Sequence, residues 1–237
     1  MNELSFSRFE TVSFLDLNPQ LLFSGRTDTK FLFHYTGLED LLASIGDDYA
    51  VMENKGVVLQ DYTTHYFDTP DLAFYLSHHN QHGNRKKMRI RNYSDGSSFF
   101  EIKEKTNKGI TLKQRTLSSV PLVSGLEHQI EVRYQRITFY SKSFNEKLTL
   151  DIELSFKKGD LELRCDEFIV AESKRVNGQY SPFVKLMRDK RISKSSFSKY
   201  CYGMAILTPG LKINNFKYMI QKTHKLKNDY AVSTTNW

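Results

Sequence analysis

Two cysteines in 237 residues, Cys165 and Cys201, are too few for a disulfide framework, and their spacing matches no metal-ligand pattern. A reducing, cytoplasmic setting is therefore the expectation. No apolar run approaches the roughly 20 residues that cross a bilayer, and the amino terminus, with Glu3 and Arg8 flanking short apolar stretches, lacks a signal-peptide core. No glycine-rich loop ending in Gly-Lys-Ser/Thr occurs, which excludes the commonest cradle for nucleotide phosphates. There is no internal repeat and no low-complexity linker. One domain over 1–237 is expected, with a core at about 25–217 and a polar, loosely held tail at about 221–237.

Aromatic residues, in contrast, are plentiful: 17 Phe and 13 Tyr favour strands and argue against disorder. Lys and Arg number 34 against 27 Asp and Glu, a net charge of +7, which points to an anionic partner. Short β-rich runs at 28–35, 62–68, 85–93, 98–105, 110–117, 130–140, 147–156 and 167–175 are separated by turn signals such as Asp95-Gly96 and Asn107-Lys108-Gly109. Eight strands are about the number that closes a barrel around a side-chain-lined interior. Thr36-Gly37-Leu38-Glu39 reads as a capping box opening a helix to about Ile45. Thr69-Pro70-Asp71 supplies an N-cap and a first-turn proline, and Ser198 caps a helix over 199–207.

The side-chain period of two sorts these strands into faces. Arg85, Lys87, Arg89 and Arg91 share one side, opposite Met88 and Ile90; Glu101, Lys103 and Lys105 oppose Phe100 and Ile102; Lys113 and Arg115 oppose Leu112. Lys147, Asp151 and Glu153 lie together, as do Glu172 and Lys174, and as do Arg26, Asp28 and Lys30. A solvated sheet face is the plain alternative. Cations two apart on a strand lie roughly 7 Å from each other and repel by roughly 2 kcal/mol at an effective dielectric near 20. Stacking them on several strands around an enclosed space favours a polyanion as the neutralising partner.

Several ordered segments resemble the VTC domain, a polyphosphate polymerase domain of the triphosphate tunnel metalloenzyme or CYTH-like superfamily. They are Arg26-Thr27-Asp28-Thr29-Lys30-Phe31, His65-Tyr66-Phe67-Asp68-Thr69-Pro70, Asn84-Arg85-Lys86-Lys87-Met88-Arg89-Ile90-Arg91, Glu101-Ile102-Lys103, Ser181-Pro182-Phe183 and Ser196-Phe197-Ser198-Lys199-Tyr200-Cys201. The resemblance runs from about Gly25 to Lys217. It implies an α+β fold: an eight-stranded antiparallel β-barrel, the triphosphate tunnel, with flanking helices. It also implies transfer of the γ-phosphate of ATP onto a growing inorganic polyphosphate chain, aided by a divalent Mn or Mg ion. Arg89, Arg91, Lys103, Lys113 and Arg115 then look like the catalytic phosphate ligands. Lys30, with Arg26, Lys87, Arg136, Lys147 and Lys199, would bind substrate. Glu172 matches the metal-holding acid, with Glu101 or Asp151 as companions. Only Asp28 precedes Lys30 where the wider superfamily has paired glutamates, and Ser196 stands where polymerases have a second basic residue before Lys199. Hydrolysis of a triphosphate, or polyphosphate binding without turnover, are the alternatives in the same tunnel.

Two signals are set aside. His78 and His82 are four apart on an expected helix, but no acid and third ligand accompany them as a zinc site requires. The basic stretch 217–227, with Phe216 and Tyr218, reads as a solvated helix end. No nucleic-acid partner is expected; a membrane-protein partner is compatible with the absence of a spanning segment.

Overall fold

The computed structural model describes residues 6–13 and 26–234. The amino-terminal signal reading, Gly25 and the last three residues of the expected tail lie outside them. Twelve strands are present: β1 (Thr11–Ser13), β2 (Arg26–His34), β3 (Tyr49–Glu53), β4 (Gln60–Asp68), β5 (Arg85–Tyr93), β6 (Ser98–Lys105), β7 (Thr111–Leu117), β8 (Glu127–Ser141), β9 (Glu146–Lys158), β10 (Leu161–Cys165), β11 (Phe168–Val176) and β12 (Lys194–Ser195). Five α-helices accompany them: α1 (Leu38–Ile45), α2 (Ala73–His79), α3 (Pro182–Asp189), α4 (Lys199–Leu207) and α5 (Lys217–Thr234).

All eight expected strands form, yet the eight-stranded closed barrel does not. The hydrogen-bonded order is β12-β2-β11-β9-β8-β4-β5-β6-β7, with β10 on β9 and β3 joining β8 to β1. Among the described residues β12 and β7 each have one neighbour, so backbone hydrogen bonds do not close the sheet. The four additional strands span two to five residues, too short to display an alternation that sequence reading can detect. Strand β11 pairs antiparallel with β2 and β9, as do β12 with β2, β10 with β9, β3 with β8, and β4 to β7 in succession, whereas β1 runs parallel to β3.

The chain divides into two compact units. The first comprises the described residues up to Gln60, Gln135–Ile152 and Asp166–Phe197. Its core shows the period of two directly. Phe31 and Phe33, Ile137 and Phe139, Leu148, Leu150 and Ile152, and Ile169 and Ala171 all face one cluster, covered by Leu38, Leu41, Leu42 and Ile45 of α1 and Phe183 and Met187 of α3. Burying each of the Phe, Leu, Ile and Met side chains among them contributes about 1.5–3 kcal/mol. The buried Glu146 carboxylate ties this layer together: it accepts from Tyr49 Oη at 2.7 Å, from Ser181 Oγ at 2.5 Å and from Ser173 Oγ. Burial and Glu146 push the Tyr49 phenol far above its ordinary range, so it donates that bond as a neutral hydroxyl.

The second unit comprises Asp61–Tyr134, Glu153–Cys165 and the described residues from Ser198 onward. Met88, Ile90 and Phe100 form a small cluster with Phe67, Phe74, Ile102 and Leu126. Helix α4 approaches closely through Gly203, where a Cβ would meet Ile130 Cδ1 at 2.5 Å and Phe156 Cδ1 at 2.6 Å. Buried Asp68 caps α2, accepting from the Phe74 and Tyr75 amides at 2.9 and 2.8 Å and from Tyr200 Oη.

The local capping differs in part from expectation. Ser198 does cap α4, accepting from the Cys201 amide at 3.4 Å. The Thr36 capping box does not form: His34 Nδ1 accepts from the Thr36 amide, and the turn Tyr35–Gly37 precedes α1. Helix α2 starts at Ala73 rather than beside Pro70, because Leu72 sits in the left-handed region at φ 58. The stretch expected to be a loose tail is helical through Thr234, held by Lys227 Nζ on the Arg164 carbonyl at 3.1 Å and by buried Thr223.

Candidate functional site

Strands β5, β6 and β7 pair in a register that aligns their charged faces row by row. Lys87 lies opposite Lys103, and Lys103 opposite Lys113. The next row is Arg89, Glu101 and Arg115, and the one after it Arg91, Phe99 and Leu117. Directly opposed residues on a ladder have Cβ atoms about 5 Å apart, where two cations at an effective dielectric near 20 repel by about 3 kcal/mol, less where their ends reach water. The Lys87–Lys103–Lys113 row has no acid at any of its three positions.

Glu101, 1% exposed, organises the row beside it. Its Oε2 accepts from Arg89 Nε at 2.7 Å and Nη2 at 2.5 Å, while Oε1 meets Lys113 Nζ at 2.8 Å and Arg115 Nε at 3.6 Å. Burial alone would raise its pKa; Arg89, Arg91 and Lys113 outweigh burial and hold the carboxyl well below the ordinary range. One carboxylate shared by three cations leaves that triad with a net +2. Lys113 is in turn shifted down by burial, against the pull of Glu101. Tyr66 Oη accepts from Arg89 Nη1 at 3.3 Å, and Thr64 Oγ1 accepts from Arg91 Nε at 3.4 Å. Lys87 Nζ donates to Ser198 Oγ at 2.9 Å, and Lys199 Nζ sits 4.4 Å from the centre of the Tyr134 ring. Arg115 lies 3.6 Å from the Phe99 ring centre. The second unit thus brings together Arg89, Arg91, Lys103, Lys113, Arg115 and Lys87, with Lys199 at the start of α4.

The remaining expected residues form a mixed-sign cluster in the first unit. Across β2, β11 and β9 the register aligns Lys30, Glu172 and Thr149, and then Asp28, Lys174 and Lys147. Glu172 is clamped between Lys30 on Oε1 and Lys174 on Oε2. Asp151 holds Arg136 through two bonds, at 2.5 and 2.9 Å. Arg26 pairs with Asp28 at 3.0 Å, and Lys147 Nζ lies 5.2 Å from the Tyr140 ring centre. Burial, with Arg136 nearby, pushes the Lys174 ammonium down to about 7. The sequence reading left Lys174 out of the site, although its position two residues after Glu172 on one strand face was the available signal. Tyr66, Thr64 and Ser198 were also missed, since neutral hydroxyls do not stand out as phosphate ligands.

Three acids were expected to hold a divalent ion: Glu172, Glu101 and Asp151. Each is already bound by cations of its own unit, and the described residues contain no group of three or more metal-ligating side chains. The donor set therefore does not fit a protein-built metal site. Among the described residues His78, His79 and His82 belong to no such group either. His79 Nε2 accepts from the Asn215 amide at 3.3 Å, and burial beside Lys87 and Arg85 pushes His78 down to about 3. No helix among the described residues is long and apolar enough to cross a membrane.

Solved structures similar to this chain include the following two. One is a proposed adenylate cyclase from Vibrio parahaemolyticus, 14% identical over 75% of this chain and 97% of that one, with a TM-score of 0.47. The other is a proposed adenylyl cyclase from Hippeastrum described as having a dominant triphosphatase activity, 10% identical over 76% of this chain and 96% of that one, with a TM-score of 0.44. No curated protein matches the sequence. The family model of the VTC domain matches residues 25–126, so the resemblance seen in the ordered segments from Arg26 to Lys103 is a match to that family, over the stretch that carries the lysine row.

Proposed function

We propose that this protein is a phosphotransferase that binds a linear phosphate chain on the cationic face of β5, β6 and β7, and that it moves the γ-phosphate of ATP onto inorganic polyphosphate. The lysine row at positions 87, 103 and 113 carries this reading. Three lysines stand directly opposed, with the Glu101 carboxylate on Lys113 at 2.8 Å, and the repulsion that remains favours an anion that itself repeats along a line, which a phosphate chain does.

Lys87, Lys103 and Lys113 act as point charges on non-bridging oxygens; Arg89, Arg91 and Arg115 offer planar, bidentate donors. Glu101 keeps Arg89 and Arg115 oriented before substrate arrives, so little reorganisation is needed at the moment of transfer. A terminal phosphate oxygen of the acceptor, ionised near neutrality, forms the new bond to the γ-phosphorus. The bond from that phosphorus to the bridging oxygen breaks, and ADP leaves with the electron pair. In-line positioning and neutralisation of charge on the transferred group supply the catalysis, with no protein nucleophile required. Lys30, Arg26, Arg136 and Lys147 lie in the first unit and take no part in this transfer.

Incubation of the protein with γ-labelled ATP, in the presence of Mn²⁺ or Mg²⁺ and separately with chelator, tests this. A ladder of labelled long phosphates supports polymerisation. Labelled orthophosphate alone replaces the acceptor with water and corrects the reaction to hydrolysis; binding of polyphosphate without turnover reduces the protein to a binder. No binding and no product overturns the proposal.

A further inference from the structure

We infer that the first unit carries a second anion site: a cavity beneath α3 and β12 that takes a small molecule bearing several phosphate groups. The cavity has a volume of about 550 Å³, which as a sphere is roughly 10 Å across, about one Debye length at ordinary ionic strength. Five cations line it: Arg175, Lys185, Arg188, Arg191 and Lys194. No carboxylate lines it. Two acids stand beside it: Asp189 pairs with Lys185 at 2.6 Å and lies 3.9 Å from Arg188, and Glu146, opposite Arg175 in register, accepts from the lining Ser181 Oγ at 2.5 Å; five cations against two acids leave the group positive.

This is not the mixed-sign cluster of the same unit. Phe31 and Arg175 belong to the cavity, whereas their chain neighbours Lys30 and Lys174 belong to that cluster. Successive side chains on a strand point to opposite faces, so the two sites lie on opposite sides of β2 and β11. Arg175 is pre-oriented, donating from Nε to the Gln179 carbonyl at 3.0 Å and from Nη1 to Thr29 Oγ1 at 3.3 Å.

Arg191 supplies a second, independent observation. Helix α3 ends in a double hydrogen-bonded cap, Ile192 amide to Met187 carbonyl at 2.8 Å and Arg191 amide to Arg188 carbonyl at 2.9 Å. The residue at that left-handed position is ordinarily glycine. Here it is Arg191 at φ 57, a strained conformation for a side-chain-bearing residue. The strain is accounted for if a guanidinium at the cavity rim is needed to hold an anion.

Titration of the full chain with inorganic tripolyphosphate, followed by calorimetry, tests the site. With Lys103→Ala and Lys113→Ala removing the lysine row, tripolyphosphate is expected still to bind; adding Arg188→Glu and Lys194→Glu then weakens that binding at least tenfold. Both reversed positions are exposed, and an unchanged melting temperature checks the fold, with Arg188→Ala and Lys194→Ala as the milder pair. Arg191→Gly is expected to weaken binding at least threefold without lowering the melting temperature, a combination that a purely structural arginine would not give. Tripolyphosphate affinity unmoved by either pair, or binding lost entirely on removal of the lysine row alone, overturns the cavity and leaves the proposed function standing. Binding lost only with the cavity variants supports the cavity and sinks the lysine row. A bisphosphorylated sugar that binds as tightly as tripolyphosphate assigns the site to phosphate esters, and tripolyphosphate alone assigns it to inorganic chains; either supports it.

Discussion

On the charged face of β2, β11, β9 and β8 in the first unit, the five cations Arg26, Lys30, Arg136, Lys147 and Lys174 meet the three acids Asp28, Asp151 and Glu172. On β5, β6 and β7 of the second unit, the eight cations Arg85, Lys87, Arg89, Arg91, Lys103, Lys105, Lys113 and Arg115 meet one acid, Glu101. Both faces come from the same alternation of residues. The first is nearer to balance within itself and behaves as structure, while the second has a large positive excess, which the proposed phosphate chain would neutralise. Deletions should therefore act in opposite senses on the two faces.

The largest effect is expected from breaking the balanced face. Asp151→Asn removes the two-bond partner of Arg136, with both side chains largely buried, and should cost about 3–5 kcal/mol in urea unfolding. A loss under about 1 kcal/mol would mean that the first unit is not held by its charge pairs. On the unbalanced face, Lys103→Ala should lower phosphoryl transfer at least about 100-fold, or about 2.7 kcal/mol of barrier. Relief of repulsion should leave the fold as stable or up to about 1 kcal/mol more so, a modest gain because the residue is exposed. Lower stability together with unchanged turnover would reverse the contrast.

Glu101→Gln should destabilise by about 2–3 kcal/mol, because three cations lose their shared carboxylate. Added tripolyphosphate should restore part of that loss, which calorimetric melting reads. Since the folded pKa of Glu101 is depressed, its contribution is fully present above the ordinary carboxylate range and is lost as pH falls below it. The variant should accordingly show a flatter acid limb than the parent.

The smallest effect belongs to Lys174. Its folded state releases the proton near pH 7, whereas an unfolded lysine keeps it to about 10.4. The unfolded state therefore binds more protons in this window, and stability should rise with pH between them, by at most about 1.4 kcal/mol from pH 7 to 8. Lys174→Met should remove that slope; equal slopes in both proteins would show that Lys174 titrates normally.

Much of this was legible beforehand, and the parts that were not have physical causes. The three hairpin strands were placed within a residue because strong alternation and Asp-Gly and Lys-Gly turns fix both ends. Strand β3 escaped because YAVME carries no clear alternation, and β10 because LELRC, although it alternates, is only five residues long. The Thr36 cap failed because a histidine ring at position 34 reached the same amide first. Glu101 was read as a metal candidate because a carboxylate among cations is ambiguous on one strand; only Arg89 and Lys113 on the neighbouring strands decide that it is a shared counter-ion. Arg191 gave no signal, since its conformation depends on where α3 ends.

The order of residues alone determined which side chains share a face, because a strand's period of two needs no partner to be true. It also determined the surplus of positive charge on three consecutive strands, which lie within the family match over 25–126. Tertiary structure alone decided which rows align, since register is set by turn geometry and by burial of the opposite face. That register put three lysines side by side in one row and placed an acid in the next, and it gave Glu172, Asp151 and Glu101 their cationic partners.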